Sequence, residues 1–130
     1  MSLVTDLITH IDSNSTTFKS VALAWTMQPF DNADDNAPAV FVFHGKEESK
    51  PSKSDMCVIQ ESTREVNVMF VCAIADSETI QAEINSLVQG WQYSSNYTPL
   101  EHKFSEPQEI KGNFIWVLET FLTTYQRRSS

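Results

Sequence analysis

The stretch EVNVMFVCAIADSETIQAEINSLVQGW, residues 65–91, decides the fold because a strand pattern passes directly into a helix pattern. In the first half, apolar side chains fill one alternating face with Val66, Val68, Phe70, Cys72 and Ile74 and the other with Met69, Val71 and Ala73. A strand with this pattern is covered on both faces. In the second half, apolar side chains recur at helical spacing, as Ile80, Ile84, Leu87, Val88 and Trp91. Asp76 and Ser77 suit the N-cap, so we predict a core strand followed by a capped helix that packs on the sheet.

The residues before this stretch predict one more helix and further strands. An apolar stripe over residues 2–12, with Ser2 as the cap, is typical of a short amphipathic helix. Pro38 opens the apolar run AVFVF, residues 39–43, which predicts a strand that ends near Gly45. Residues 56–60 resume a strand pattern, and the polar residues 61–64 predict a reversal and hence a hairpin with the core strand. A weaker alternation over residues 21–25 favours another strand.

The residues after the helix predict two more strands. We expect a short edge strand over residues 100–104, ended by Pro107, and a long final strand over residues 113–125 that is apolar on both faces. The tail, residues 126–130, is expected to fray. The prediction is therefore an α+β fold in a single domain, residues 1–130, with a mostly antiparallel or mixed β-sheet packed by two main helices.

Composition narrows the class of protein. The chain has 130 residues, 17 of them acidic and 9 basic, for a formal net charge of −8. Such a field repels phosphate backbones, so we expect no tight binding to nucleic acid. The N-terminal apolar run contains Asp6 and His10 and has no basic leader, so it predicts neither a signal peptide nor a membrane span. We expect a protein that folds in the cytosol and keeps Cys57 and Cys72 as reduced, buried thiols.

The chemistry-bearing residues do not form a motif for catalysis, metal binding or cofactor binding. His10, His44 and His102 lack paired-ligand spacing, and the glycines are too far apart for a phosphate-binding loop. Neither cysteine has a nearby cue for an activated nucleophile. We therefore predict that the protein is not an enzyme and that it has no cofactor, no metal site and no catalytic residue.

The order of these elements resembles that of the tail terminator proteins of long-tailed bacteriophages, the Mu-like terminators and lambda tail protein U among them. The resemblance covers nearly the whole chain. It is carried by LVTDLITHID at residues 3–12, DNADDNAPAVFVFHGKEE at 31–48, REVNVMFVCAIADSETIQAEINSLVQGW at 64–91 and NFIWVLETFLTTYQ at 113–126. The chain departs from many Mu-like members in residues 21–27 and in the charged residues 46–55.

The resemblance implies a structural role. In that family, α+β subunits form a hexameric ring at the head-proximal end of the tail, where the ring stops tail-tube polymerisation and joins the tail to the head connector. The expected partners are further copies of the chain, the tail tube protein and a head-completion or connector protein, and DNA only passes through. The expected location is the virion tail, after synthesis in the bacterial host cytoplasm.

Two charged segments that flank the AVFVF strand are candidate assembly contacts. We expect both to be surface loops, which either order on docking or are merely solvated. The candidate residues are Asp31, Asp34, Asp35, Lys46, Glu47, Glu48, Lys50 and Lys53.

Two alternatives stay open. One is a head-completion or tail tube protein, since these share the size and the association into rings. The other is a small cytosolic ligand-binding or enzymatic α+β domain, whose pocket would lie between Trp91, Tyr93, Tyr97 and Trp116.

Overall fold

A computed structural model describes residues 2–23, 37–49 and 58–129 of the chain. The elements are α1 (Leu3–Asn14), β1 (Ser20–Leu23), β2 (Ala39–Ser49), β3 (Val58–Ala73), a 3-10 turn (Ile74–Asp76), α2 (Ser77–Val88), β4 (Glu101–Lys111) and β5 (Phe114–Ser129). One sheet has the strand order β1-β2-β3-β5-β4. β1 pairs in parallel with β2, and the other pairs are antiparallel. The predicted α+β class with a mixed sheet and two helices is confirmed.

Both helices pack on the same face of the sheet. α1 begins as predicted, since the Ser2 hydroxyl accepts a hydrogen bond from the Thr5 amide at 3.1 Å. The predicted cap of α2 is different, because Asp76 occupies the N-cap position but makes no side-chain capping bond. The shared core combines apolar residues of α1 (Leu3, Val4, Leu7, Ile11), of α2 (Ile80, Ile84, Val88) and of the sheet (Val40, Val42, Val66, Val68, Phe70, Cys72, Val117, Phe121). Each fully buried side chain of this size stabilises the fold by about 1.5–3 kcal/mol.

The opposite face of the sheet carries a smaller apolar cluster. Ala39, Phe41 and Val71 are buried there, and Trp116 packs against them. Further along the same face, Met69 is only half-buried. The predicted coverage of β3 on both faces is confirmed at Val71 but is only partial at Met69, and the helices cover one face alone.

β2 and β3 are longer than the sequence predicted. β2 continues past Gly45 to Ser49, so residues 46–49 are not part of a loop. The reversal predicted at residues 61–64 is wrong, because these residues lie inside β3 and pair with β5. These polar residues suit a strand whose faces are partly open to solvent, and the hydroxyl of the β-branched Thr63 lies 3.5 Å from that of Thr124 across the pair.

β4 and β5 are also longer than predicted. β4 runs through Pro107, which the sheet tolerates because β4 is an edge strand and its register shifts between Pro107 and Glu109. The backbone of residues 126–129, which we expected to fray, continues β5 and pairs with β3. Trp91 lies beyond the end of α2 and not within it. Within the described residues, neither helix is long and apolar enough to cross a membrane.

One half of the long β3–β5 pair extends beyond the residues that the helices cover. Residues 58–65 pair with residues 122–129 in a segment that we call the β-arm. At a rise of roughly 3.3 Å per residue, its eight residue pairs span about 26 Å. The core shared with the helices begins only at Val66 and Phe121. Ser62 and Thr123 within the arm are nevertheless buried, so the arm is packed near its base.

Candidate functional site

The structure describes three of the eight predicted assembly residues. Asp31, Asp34, Asp35, Lys50 and Lys53 lie outside the described residues. Lys46, Glu47 and Glu48 lie on β2 and not in a loop, at the base of the β-arm. The prediction of a surface loop was therefore wrong for these three residues. Their polar composition resembles that of a loop, but Glu47 and Glu48 pair with β3, and the Lys46 amide, at the shift in register, donates to the Glu65 carboxylate.

The charges at the base of the arm are paired with one another. The Lys46 ammonium lies 2.5 Å from a Glu48 carboxylate oxygen, and both side chains are about two-thirds exposed. The hydrogen bond and charge of Lys46 lower the pKa of Glu48, and those of Glu48 raise the pKa of Lys46. Arg64 lies 3.4 Å from Glu47, which also accepts a hydrogen bond from the Tyr125 hydroxyl. The exposed Lys46–Glu48 pair contributes little to stability. Because each of these four charges has a partner of opposite sign, a contacting surface would not bury an unpaired charge at them.

Glu65 joins three strands at this point. Its carboxylate accepts hydrogen bonds from the Lys103 ammonium on β4 at 2.6 Å and from the Lys46 amide on β2 at 3.4 Å. The hydrogen bond from Lys103 is the main cause that lowers the pKa of Glu65. Gly45 faces the same residue, since a Cβ at position 45 would lie 2.7 Å from both Glu65 Cβ and Asn67 Nδ2. The glycine is therefore needed for this close approach of β2 to β3.

A row of aromatic rings connects the helices to the arm. His10 of α1 donates through Nε2 to the Leu87 carbonyl of α2 at 2.8 Å, and its ring stacks on Trp91 at 5.7 Å. From there the row continues through Tyr93, Tyr97 and Tyr125 with centroid separations of 6.2, 5.1 and 4.7 Å. The Arg64 guanidinium lies 5.5 Å from the Tyr125 centroid. The row braces the loop between α2 and β4 against the arm.

The pocket proposed between Trp91, Tyr93, Tyr97 and Trp116 does not form. Trp116 packs on the opposite face of the sheet from the aromatic row. An open cleft of about 790 Å³ lies instead between the loop and the arm. Its lining residues are Glu61, Gln92, Ser95, Asn96, Tyr97, Thr98, Pro99, Thr124 and Tyr125. Several of its polar groups already bond to the protein, since the Gln92 amide donates to the Tyr97 carbonyl and the Thr98 hydroxyl accepts from the Thr124 amide.

A buried carboxyl group that sequence reasoning missed lies between α2 and the sheet. Glu119 is fully buried and accepts hydrogen bonds from Gln81 Nε2 at 2.7 Å, from His102 Nε2 at 2.7 Å and from the Ser105 hydroxyl. His102 Nε2 also lies 3.1 Å from the Ser105 hydroxyl. A catalytic triad needs the two histidine nitrogens to contact the acid and the nucleophile separately, and here one nitrogen contacts both. The cluster therefore ties the edge strand β4 to α2. The sequence feature that could have predicted this buried group is the position of Glu119, which shares an alternating strand face with the apolar residues Ile115, Val117 and Phe121.

The described residues also include Cys72 and His44. Cys72 is a free, buried thiol, as predicted, and burial together with the charge of Asp76 raises its pKa to about 11. Cys57 lies outside the described residues. His44 is exposed, and partial burial and then the charge of Arg64 lower its pKa. In the part of the chain that the structure describes, no group of three or more potential ligand residues is arranged to hold a metal ion.

Comparisons with known proteins find a likeness in fold. No protein-family model matches the sequence, and no curated protein matches it significantly. Among solved structures, a chain of the "Virion of native gene transfer agent (GTA) particle" is similar, with a TM-score of 0.53 and 10% sequence identity. The match covers 98% of this chain and 87% of that chain. At this identity the likeness is one of fold, and it extends over the whole domain.

Proposed function

We propose that this chain is a structural virion protein of the tail terminator type. Six copies would close into a ring on the last ring of a tail tube, stop further polymerisation and offer a surface to the head connector. The observation that carries the proposal is the likeness in fold to a virion chain over 98% of this chain's length. The order of sequence segments, which resembles that of tail terminators, supports the more specific role.

The charges of the molecule support a role in assembly. The described charges at the base of the arm are paired, so a partner can contact them without burying an unpaired charge. A terminator works by geometric fit, because a ring that closes by rotation leaves no open end to which a further copy can add. The net charge of −8 would keep the DNA that passes through such a ring from adhering.

The charged segments belong to the proposal as assembly contacts. They contribute Asp31, Asp34, Asp35, Lys50 and Lys53, beside Lys46, Glu47 and Glu48 of β2. To test this part, residues 50–54 are replaced by a Gly-Ser linker of equal length. We expect the thermal unfolding midpoint to stay unchanged while binding to tail tubes weakens. Unchanged tube binding would show that residues 50–54 do not contribute to the contact with the tube.

The test of the function is tail-tube assembly in vitro. Purified tube protein is polymerised with increasing amounts of this chain, and tube lengths are measured by electron microscopy. A terminator shortens the length distribution as its ratio to tube protein rises, and bound protein is confined to tube ends. Protein that binds along the tube walls, or that leaves the lengths unchanged, would contradict the proposal.

Two further measurements, of the protein alone at high concentration and of its binding to the head connector, separate the virion alternatives. A tube protein would form open stacks by itself at high concentration, and a head-completion protein would bind the head connector but not the tube. We propose the terminator role over these because the sequence segments resemble that family.

A further inference from the structure

The two strands that flank the β3–β5 pair both shift register where the β-arm begins. In β2, Gly45 and Lys46 together lie opposite the single residue Glu65 of β3. In β4, Lys103 is an extra residue close to the same level of the pair. The ladder between β3 and β5 itself runs through this level without a shift. A β-bulge bends its strand and increases the local twist, so the sheet changes direction at the base of the arm.

The side chain of Glu65 fits into the β2 bulge. Its carboxylate accepts a hydrogen bond from the Lys46 amide at 3.4 Å, so a side chain takes part where the regular pairing of β2 with β3 is interrupted. Gly45 makes room for it, since a Cβ at position 45 would lie 3.2 Å from Glu65 Oε2. With a larger residue at position 45, the carboxylate or the strand would have to move.

The same carboxylate reaches the β4 bulge across β5. Glu65 Oε1 accepts a hydrogen bond from the Lys103 ammonium at 2.6 Å, although β5 lies between β3 and β4 in the sheet. The side chain of Glu65 is only 20% exposed, and that of Lys103 is 42% exposed. A hydrogen bond between two ionised groups is stronger than one between neutral groups. One side chain thus connects the bulges of two strands that are not neighbours.

Different contacts hold the other face of the arm. Tyr125 alternates with the core residue Phe121 and so lies on the helix side, where its ring stacks on Tyr97 at a centroid separation of 4.7 Å. Glu65 precedes the core residue Val66 and therefore lies on the opposite side of the sheet. The loop between α2 and β4 thus holds the arm on one face, and Glu65 holds it on the other.

We propose that the base of the β-arm is a hinge and that the Glu65 carboxylate is the clamp that holds it in one orientation. The bulges are the points that bend, because each interrupts a ladder that would otherwise stiffen the joint. The part of the chain that the arm bends against is the helix-covered sheet, residues 66–73 and 114–121, which we call the body. The inference concerns the fold of a single chain and does not depend on the proposed function.

Loss of the clamp has a defined consequence. Without the Glu65 carboxylate, the Lys46 amide and the Lys103 ammonium lose their common acceptor, and the contacts on the helix side alone hold the arm. The arm then samples several orientations, while the body stays packed under the helices. An external group that bonds to Lys103 in place of Glu65 has the same effect, so the hinge lets the arm respond to a contact at its base.

The test removes the clamp from either end. Glu65→Ala removes the acceptor, whereas Lys103→Met removes the ammonium and keeps an apolar stem. Glu48→Ala is the matched control, because Glu48 is an acid at the same base whose ion pair with Lys46 stays within β2. Lys103 is on an exposed strand, so Lys103→Met should fold like the wild type. If Glu65→Ala does not fold, Lys103→Met alone decides the test.

NMR residual dipolar couplings of the free protein measure the orientation of the arm relative to the body. In the wild type and in Glu48→Ala, the amide couplings of residues 62–65 and 122–125 should fit the same alignment tensor as those of the body. In Glu65→Ala and Lys103→Met, the arm couplings should depart from that tensor while the body couplings still fit it. Amide hydrogen exchange should also become about tenfold faster in the arm and stay unchanged in the body.

Two results would overturn the inference. One is a single tensor that still fits both arm and body in either clamp variant, because the base of the arm would then be rigid without the carboxylate. The other is an arm that already departs from the body tensor in the wild type or in Glu48→Ala, because Glu65 would then not be what holds it. Neither result bears on tube capping, since the measurement uses the free protein.

Discussion

The buried carboxyl group of Glu119 allows a prediction that separates two opposing effects. In Glu119→Leu, the acceptor disappears, but its three donors sit on residues that are not buried, so each can turn to water. In His102→Ala, the carboxyl group stays fully buried and keeps only Gln81 and Ser105 as donors. The two changes break the same contact from opposite ends.

The magnitudes differ because burying an under-satisfied polar group is costly, while replacing it with an apolar group of similar volume is not. A buried acceptor that loses a partner costs about 1–3 kcal/mol. We therefore expect His102→Ala to lower the free energy of unfolding by about 1–3 kcal/mol. Glu119→Leu should change it by less than about 1 kcal/mol, because buried ionic groups are often replaced by apolar ones without loss.

Urea unfolding followed by circular dichroism measures both values. Gln108→Ala is the control, because Gln108 is an exposed residue on the same edge strand. Equal denaturant slopes for all variants would show that the comparison is one of stability. A larger loss in Glu119→Leu than in His102→Ala would refute the reasoning and would mean that the carboxyl group itself stabilises the contact of α2 with β4.

Three further predictions concern the sheet. Gly45→Ala should lower the free energy of unfolding by about 1–3 kcal/mol in the same urea assay, because the added methyl group lies 2.7 Å from Glu65 and Asn67; an unchanged midpoint would contradict this. Lys103→Met should raise the pKa of Glu65 towards 4.5 in a carboxyl NMR titration. Because the pKa of Glu65 is lower in the folded protein than in the unfolded chain, its ion pair with Lys103 stabilises the fold above the unfolded-chain pKa, and this contribution is lost as the pH falls through the folded-state pKa. An unchanged pKa of Glu65 in the variant would show that Lys103 is not the cause. At pH 9, peptide mapping after iodoacetamide should find Cys72 unlabelled until urea is added, because the pKa of about 11 and burial both disfavour the thiolate; rapid labelling of the folded protein would show that the thiol is open.

The core strand and the helix that follows it could be predicted, because both have a clear apolar periodicity. The alternation in residues 66–74 and the helical spacing from Ile80 to Val88 gave a core strand and a helix on its face, and both are confirmed. Strand ends could not be predicted, because residues 61–64 are polar and Pro107 is a strand breaker in most contexts. Residues 61–64 are in a strand because they pair with β5, and Pro107 is tolerated because β4 lies at the edge of the sheet. A local sequence pattern shows neither of these facts.

The candidate site depends on contacts between distant residues. Lys46, Glu47 and Glu48 were identified as charged surface residues, but their place on β2 follows from pairing with β3. The ion pair of Lys103 with Glu65 joins residues that are 38 positions apart, and the hydrogen bond of His102 with Glu119 brings together two strands. Sequence spacing does not encode such pairs, whereas the register of the sheet does.

The central claim is that copies of this chain close into one ring at the end of a tail tube. The most direct measurement is electron microscopy of terminator-free tail tubes incubated with an excess of the purified protein, with the added protein marked by a fused tag. We expect a single six-membered ring on one end of each tube and no growth beyond it when tube protein is added. Stacked layers of the added protein, or tubes that continue to elongate past it, would contradict the account.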